Sequence, residues 1–287
     1  MKLCSLCLSF VLCCAAVSTA AEEPHSAAAL RATHARKSAE LAQSPLKRPV
    51  LLTSAELPQG LQGEIYAVVD HPVEAVHAAF NSAANWCNVL LLHVNNRRCQ
   101  ASSADGKQQI TLGIVRRYDK PVEEAFELPF VFRVVQATPD YLEVQLRAES
   151  GPLGTSNYRI LLEATQLDAK RSFLHFSYSY DQNKMVAMAV QAYLATFGSS
   201  KVGFTELGKL PDGKPDYIAG TRGLVERNAM RYFLTLEAFL SANNNEARRE
   251  AWFSAIERYP RQLHEVDRET YLALKRADAQ QRSTAPP

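Results

Sequence analysis

Five consecutive segments between Gln109 and Tyr180 alternate apolar and polar residues with a period of two. Nothing else in the chain constrains the fold as tightly. Ile110, Leu112 and Ile114 alternate with Gln109, Thr111 and Gly113. Phe126, Leu128, Phe130, Phe132 and Val134 form a second row, with Glu127 and Arg133 opposite. Leu142, Val144, Leu146 and Ala148 stand against Glu143, Gln145, Arg147 and Glu149. Tyr158, Ile160, Leu162 and Ala164 make a fourth row. Leu174, Phe176, Tyr178 and Tyr180 make a fifth, against His175, Ser177 and Ser179. Such rows are strands with one buried and one wet face. Links as short as Thr138-Pro139-Asp140 and Asp168-Ala169-Lys170 leave no room for helical crossovers, so the strands run antiparallel.

Helical patterns flank this run. Glu64 to Val69 is a short strand, and Asp70-His71-Pro72 opens a helix from Val73 to Phe80 with Asp70 as its N-cap. Ala84 to Leu92 is a second short helix or turn. Met185 to Thr196 is helical, and Val202 to Leu207 reads as one more strand. The strongest helix is Leu224 to Leu240, with Val225, Ala229, Tyr232, Phe233, Leu236, Phe239 and Leu240 on one broad stripe. Arg227 and Arg231 share another face, one turn apart. Residues 246–280 read as two short helices parted at Tyr259-Pro260.

Residues 1–20 stand apart. Lys2 precedes an apolar run from Leu3 to Val17, too short to span a bilayer comfortably, and Ser18-Thr19-Ala20 supplies small residues at the cleavage positions. The pattern predicts a signal peptide cleaved before Ala21 and a periplasmic or secreted product. No later stretch is apolar enough for a transmembrane span. Four of the six cysteines lie in that segment, leaving Cys87 and Cys99. In an oxidising compartment a disulfide between them is the expected state, worth about 3 kcal/mol in the chain-entropy model. Lys plus Arg is 32 and Asp plus Glu is 30, a balance that gives no electrostatic case for nucleic acid. Residues 21–59 read as an Ala-rich arm, 60–242 as the main domain and 243–287 as a helical tail.

Strand, short helices, antiparallel strands and a long amphipathic helix together predict an α+β fold. In it a curved antiparallel sheet grips the helix, with a helical insert at 184–198 and the helical tail. The order resembles the START-like, helix-grip superfamily. The likeness is carried by Gly63-Glu64-Ile65-Tyr66-Ala67-Val68-Val69-Asp70-His71-Pro72-Val73-Glu74-Ala75-Val76 and by Leu224 to Leu240. Asn85-Trp86-Cys87, Gly151-Pro152-Leu153-Gly154-Thr155 and Glu226-Arg227-Asn228 also resemble secreted bacterial proteins of uncharacterised activity. The superfamily resemblance implies a cavity under the long helix for a hydrophobic small molecule or lipid. Phe130, Phe132, Val144, Phe176, Tyr178 and Tyr232 would line it, unless these residues fill a solid core. Arg227 and Arg231 would clamp a carboxylate or phosphate head group at its mouth, or else form a solvated helix face.

Catalytic signatures are absent: there is no G-x-S-x-G, no P-loop, no H-E-x-x-H and no G-x-G-x-x-G. No metal or cofactor is expected. His93, between the two cysteines, is either a general base or a hydrogen-bonded histidine that fixes the loop. Three functions remain open. A carrier needs an apolar pocket. An enzyme needs His93, Tyr178 or Glu226 aimed into that pocket beside another polar group. An interaction module needs an exposed patch of Trp252, Phe253, Ile256 and Tyr259.

Overall fold

A computed structural model describes residues 25–196 and 200–284. The predicted signal segment at 1–20 lies outside them, as do parts of the predicted insert and the tail's last residues. One eight-stranded antiparallel sheet dominates, in the order β1-β2-β8-β7-β6-β5-β4-β3. Its strands are β1 (Val50–Leu57), β2 (Gly60–Val69), β3 (Asn96–Ala104), β4 (Lys107–Ile114), β5 (Phe126–Thr138), β6 (Tyr141–Ser150), β7 (Thr155–Gln166) and β8 (Ser172–Gln182). The five alternating rows are β4 to β8, and most of their apolar residues turn inward, but Phe126 and Val134 at the two ends of the β5 row are exposed, and Glu143 on the polar row of β6 is buried. Phe130, Phe132, Leu142, Val144, Leu146, Phe176 and Tyr178 all join one core cluster.

The long helix α5 (Gly220–Ser241) lies across the inward face of the sheet, with α2 (Val73–Phe80) and α3 (Ala83–Leu90) beside it. Ring contacts join these elements: Phe80 stands 6.2 Å from Phe239 and 5.9 Å from Trp86. α5 packs tightly on the sheet over Gly63, where a Cβ would lie 2.8 Å from that of Ala229. Glycine there is a packing requirement, because any side chain would push the helix off the sheet. The architecture is therefore α+β with a curved sheet gripping a helix, as the element order predicts.

Two strands escape the sequence pattern. β1 falls in the Ala-rich arm and pairs with β2 through Val50↔Ala67 to Leu57↔Gly60, forming one sheet edge. β3 is the other edge, and its Asn-Arg-Arg-Cys-Gln-Ala-Ser-Ser-Ala composition shows no apolar row. Val202 to Leu207 is mostly extended loop. Only Glu206–Lys209 pairs, as β9 with β10 (Pro215–Tyr217).

The rest of the arm forms α1 (Ala27–Ala42), capped by Ser26, whose side chain accepts from the Ala29 N–H. It crosses the outer face of the sheet, where Leu30 and Leu41 join Tyr141 and Phe173 in a small separate cluster. The tail is helical beyond α5. After α4 (Lys184–Ala195) and α5 come α6 (Asn245–Ile256), α7 (Pro260–Leu263) and α8 (Arg268–Thr284). Trp252 and Ile256 are buried and Phe253 and Tyr259 partly so, packed against the main core. The apolar patch that an interaction module requires is thus turned inward.

Cys87 and Cys99 are bonded, tying α3 to β3. The stapled segment is the seat for α8. Tyr271 donates its hydroxyl to the Leu92 carbonyl at 2.8 Å, and Lys275 donates to the Asn96 carbonyl at 2.7 Å. Arg97 grips Asp278 through its Nε at 2.8 and 3.0 Å. Among the described residues, no helix is long and apolar enough to cross a membrane.

Candidate functional site

The aromatic rows predicted to line a cavity instead meet α5 directly. Tyr178 stands 5.3 Å from Tyr232 and 5.8 Å from Tyr180, and Tyr180 stacks on Tyr158 at 5.3 Å. Phe130, Phe132, Val144 and Phe176 are buried to within a few per cent. Side chains in this state act first as core, with every neighbouring atom a packing partner.

Arg227 and Arg231 are also buried, which removes them from any mouth and equally from a solvated face. Residues after 200 and the tail cover the side of α5 that the stripe leaves polar. Arg227 donates to the Val202 carbonyl at 3.2 Å, and Arg231 pairs with Glu265 at 2.6 Å. Trp252 closes over this side, its indole N–H donating to the Arg231 carbonyl at 3.4 Å. Both arginines fasten covering segments to the helix.

The residues weighed for catalysis are engaged structurally. Glu226 is fully buried, and its carboxylate accepts from Ser54 Oγ at 2.7 Å, Phe204 N at 2.6 Å, Thr205 N at 3.0 Å and Thr205 Oγ1 at 2.7 Å. A buried carboxylate is tolerable only with its lone pairs filled this way. Gly203 permits it, since a Cβ there would lie 2.5 Å from Glu226 Oε2. His93 is enclosed, and burial, aided by Arg231 and Lys275, drives its pKa well below the usual value, so the ring is neutral. Its Nδ1 accepts from the Asn95 N–H at 3.1 Å while the ring stacks on Tyr232 at 5.0 Å. That is the loop-fixing role. Burial raises the Tyr178 hydroxyl far above its ordinary range.

Open space lies beside the C-terminal half of α5. A cleft of about 1080 Å³ runs between the turn at Pro45–Pro49, the end of β2, the C-terminal half of α5, the β9–β10 hairpin and α6–α7. Its lining includes Leu46, Phe204, Tyr217, Ala238, Leu240, Ala255 and Tyr259, with four prolines. The Glu226 network places Phe204 on this wall, and Phe204 meets Tyr259 edge-on at 5.3 Å. Prolines at 45, 49, 215 and 260 hold the surrounding turns and remove N–H donors from an apolar surface. None of the eight residues predicted to contact ligand lines this cleft.

Charge enters the cleft from several elements. Lys47, Arg48, Lys214, Arg258 and Arg261 face Asp70, Glu206 and Glu237. Arg48 pairs with Glu237 Oε1, and Arg258 approaches Oε2 of the same carboxylate at 3.9 Å. Burial draws Arg48 below its ordinary value, Tyr259 opposes that, and Arg258 adds to it. Arg261 lies 5.1 Å from the centre of the Tyr217 ring. Hydrophobic periodicity does not reveal this site, because it is assembled from turns and the tail, which carry no periodic pattern. The clustered prolines around residues 45–49 and 211–215 were the available clue.

A second polar cluster occupies the outer face of the sheet under α1. Tyr66, His175 and Glu163 lie side by side across β2, β8 and β7. His175 Nδ1 is 2.7 Å from Glu163 Oε2, and its Nε2 is 3.6 Å from Glu64 Oε1. Tyr141 donates to Glu163 Oε1 at 2.6 Å. The Tyr66 ring stacks on His175 at 4.5 Å and receives the Lys37 ammonium of α1 at 4.5 Å. Burial works against a charged His175, but the two carboxylates overcome it and raise its pKa to about 9. Burial also works against Glu163, yet His175 and Tyr141 hold it below its usual value. The cluster is an ionised pair at neutral pH and so a poor general base. Among the described residues, no group of three or more His, Cys, Asp or Glu is placed to hold a metal ion.

No family model matches the chain, and no curated protein matches it in sequence. Solved structures of similar shape include norcoclaurine synthase from Thalictrum flavum, at 13% identity over 52% of this chain and 82% of that one, TM-score 0.34. Another is the Zhui aromatase/cyclase from Streptomyces sp. R1128, at 12% identity over 79% and 97%, TM-score 0.33. A third is human StAR-related lipid transfer protein 5, at 10% identity over 57% and 88%, TM-score 0.32. Likenesses this distant say nothing of activity, and the helix-grip assignment stands on the strand order and on α5 lying across the sheet.

Proposed function

We propose that the protein binds and carries a hydrophobic small molecule or lipid, seated in the cleft beside α5, and that it works in the periplasm or after secretion. The cleft carries the reading. Its volume of about 1080 Å³ is just above the usual size of ligand pockets, roughly 300–1,000 Å³, and its walls set apolar and aromatic residues and four prolines beside charged side chains. The export reading rests on the pattern of residues 1–20 and on the bonded Cys87–Cys99 pair, since disulfides persist in oxidising compartments.

The test is native mass spectrometry of the protein purified from an oxidising compartment, with organic extraction of whatever travels with it. The reading predicts a stoichiometric apolar adduct and an N-terminus at Ala21. A protein that retains residues 1–20 would overturn the export reading. A protein that carries no adduct and takes up no added lipid would overturn the carrier reading.

A further inference from the structure

The cleft has more positive charge than its carboxylates neutralise, and the surplus is local. Glu237 is the one carboxylate at the α5 wall that engages cations, and it serves two guanidiniums, Arg48 on Oε1 and Arg258 on Oε2. Arg258 is the looser partner at 3.9 Å, and its side chain is 53% exposed. Three residues on, Arg261 lies over the Tyr217 ring at 5.1 Å and acts on Asp212 only through its charge, with no ion pair between them among the described residues. Lys47, beside Arg48 in the turn at Pro45–Pro49, is exposed and pairs with no carboxylate among the described residues. Lys214 is occupied by Asp212 at 2.8 Å. Asp70 and Glu206 also line the cleft, and neither is paired with any of these cations.

Arginine presents a planar fork of donors that matches a carboxylate or phosphate in two-point contact. Two guanidiniums around one carboxylate leave such a fork free to take a second anion. The apolar walls formed by Leu46, Phe204, Leu240 and Tyr259 continue from this charged corner. A ligand that suits both is an amphiphile with one acidic end.

Resting on the cleft as the ligand site, we propose that the cargo is an acidic amphiphile, a hydrocarbon chain ending in a carboxylate or phosphate, whose head is held by Arg258 and Arg261 with Lys47 also on the cleft wall. The charged end selects and orients the ligand, and the chain supplies most of the binding through buried apolar area.

The experiment compares matched probes on the full mature protein: oleate, oleyl alcohol and oleoyl lysophosphatidate, each by displacement of a fluorescent apolar probe. The expected result is that one or both acids bind about tenfold tighter than the alcohol, and that the preference weakens as salt rises. In the double variant Arg258→Ala, Arg261→Ala, the acids fall to the affinity of the alcohol, whose own binding is unchanged. Thermal melting checks that the variant is folded. Whichever acid binds better identifies the head as carboxylate or phosphate. Equal affinity for acid and alcohol overturns the acidic-head proposal and leaves the carrier reading standing. No binding of any of the three overturns both.

Discussion

His175 Nδ1 lies 2.7 Å from Glu163 Oε2 on the outer face of the sheet, with Glu64 on its far side and α1 closing over them. Its pKa rises from 6.5 to about 9 because two carboxylates outweigh the cost of burial. A raised folded-state value stabilises fully below the unfolded pKa near 6.5 and loses that contribution as pH climbs through 9. Two to three units correspond to about 3 kcal/mol. Denaturant titrations of wild type and His175→Gln at pH 6 and pH 9.5 should show a large stability difference at the lower pH and a small one at the higher. A difference independent of pH would mean that the imidazole is neutral in the fold.

Lys275 gives the opposite slope. Burial lowers it from 10.5 to about 7, Asp278 pushes back, and Arg97 and Arg249 add to the lowering. Below pH 7 the folded and unfolded chains both hold the proton, and the full cost of burying the charge is present. Between 7 and 10.5 only the unfolded chain holds it, so stability rises by at most about 1.4 kcal/mol per pH unit. Wild type should gain on Lys275→Met across that window. A constant gap between the two would place the lysine pKa near its ordinary value.

The contact between Gly63 and Ala229 sets how closely α5 approaches the sheet. Gly63→Ala should cost about 1–3 kcal/mol through overpacking. Adding Ala229→Gly should recover part of that loss, although glycine in the helix carries its own cost of about 1 kcal/mol. A double variant whose loss equals the sum of the single changes would show that the two positions do not face each other.

Much of this fold was legible because β4 to β8 each carry an apolar row with a period of two, although the β5 row loses Phe126 and Val134 to the surface. The edge strands were not. β3 is polar along its length, and β1 owes its conformation to pairing with β2 rather than to any pattern of its own. The site was harder still. Arg227 and Arg231 sit on the polar side of an amphipathic helix, and in isolation that side belongs in water. The tail brings Glu265 and Trp252 across it, a contact between residues 34 and 21 positions apart that no local signal records. Glu226 likewise meets its four donors from β1 and from residues 204–205 only after folding.

The disulfide has consequences beyond its own loop. Because α8 docks on residues 92–97, replacing Cys87 and Cys99 with serine should lower stability by about 3 kcal/mol. It should also raise hydrogen exchange in α8 more than in β6 or β7. Exchange in α8 that is unchanged would show that Tyr271 and the Arg97–Asp278 pair hold the tail without the staple.

The most direct test of the central claim is to block the cleft without touching the interior. Ser241 and Ser254 are exposed on its walls, one on α5 and one on α6. Ser254→Trp, Ser241→Trp and wild type would be compared by direct titration with a fluorescent fatty acid. The account predicts saturable binding to wild type with one site per chain, and loss of about tenfold or more in both variants at unchanged melting temperature. Undiminished binding in the two variants would contradict it and return the ligand to the space between the sheet and α5.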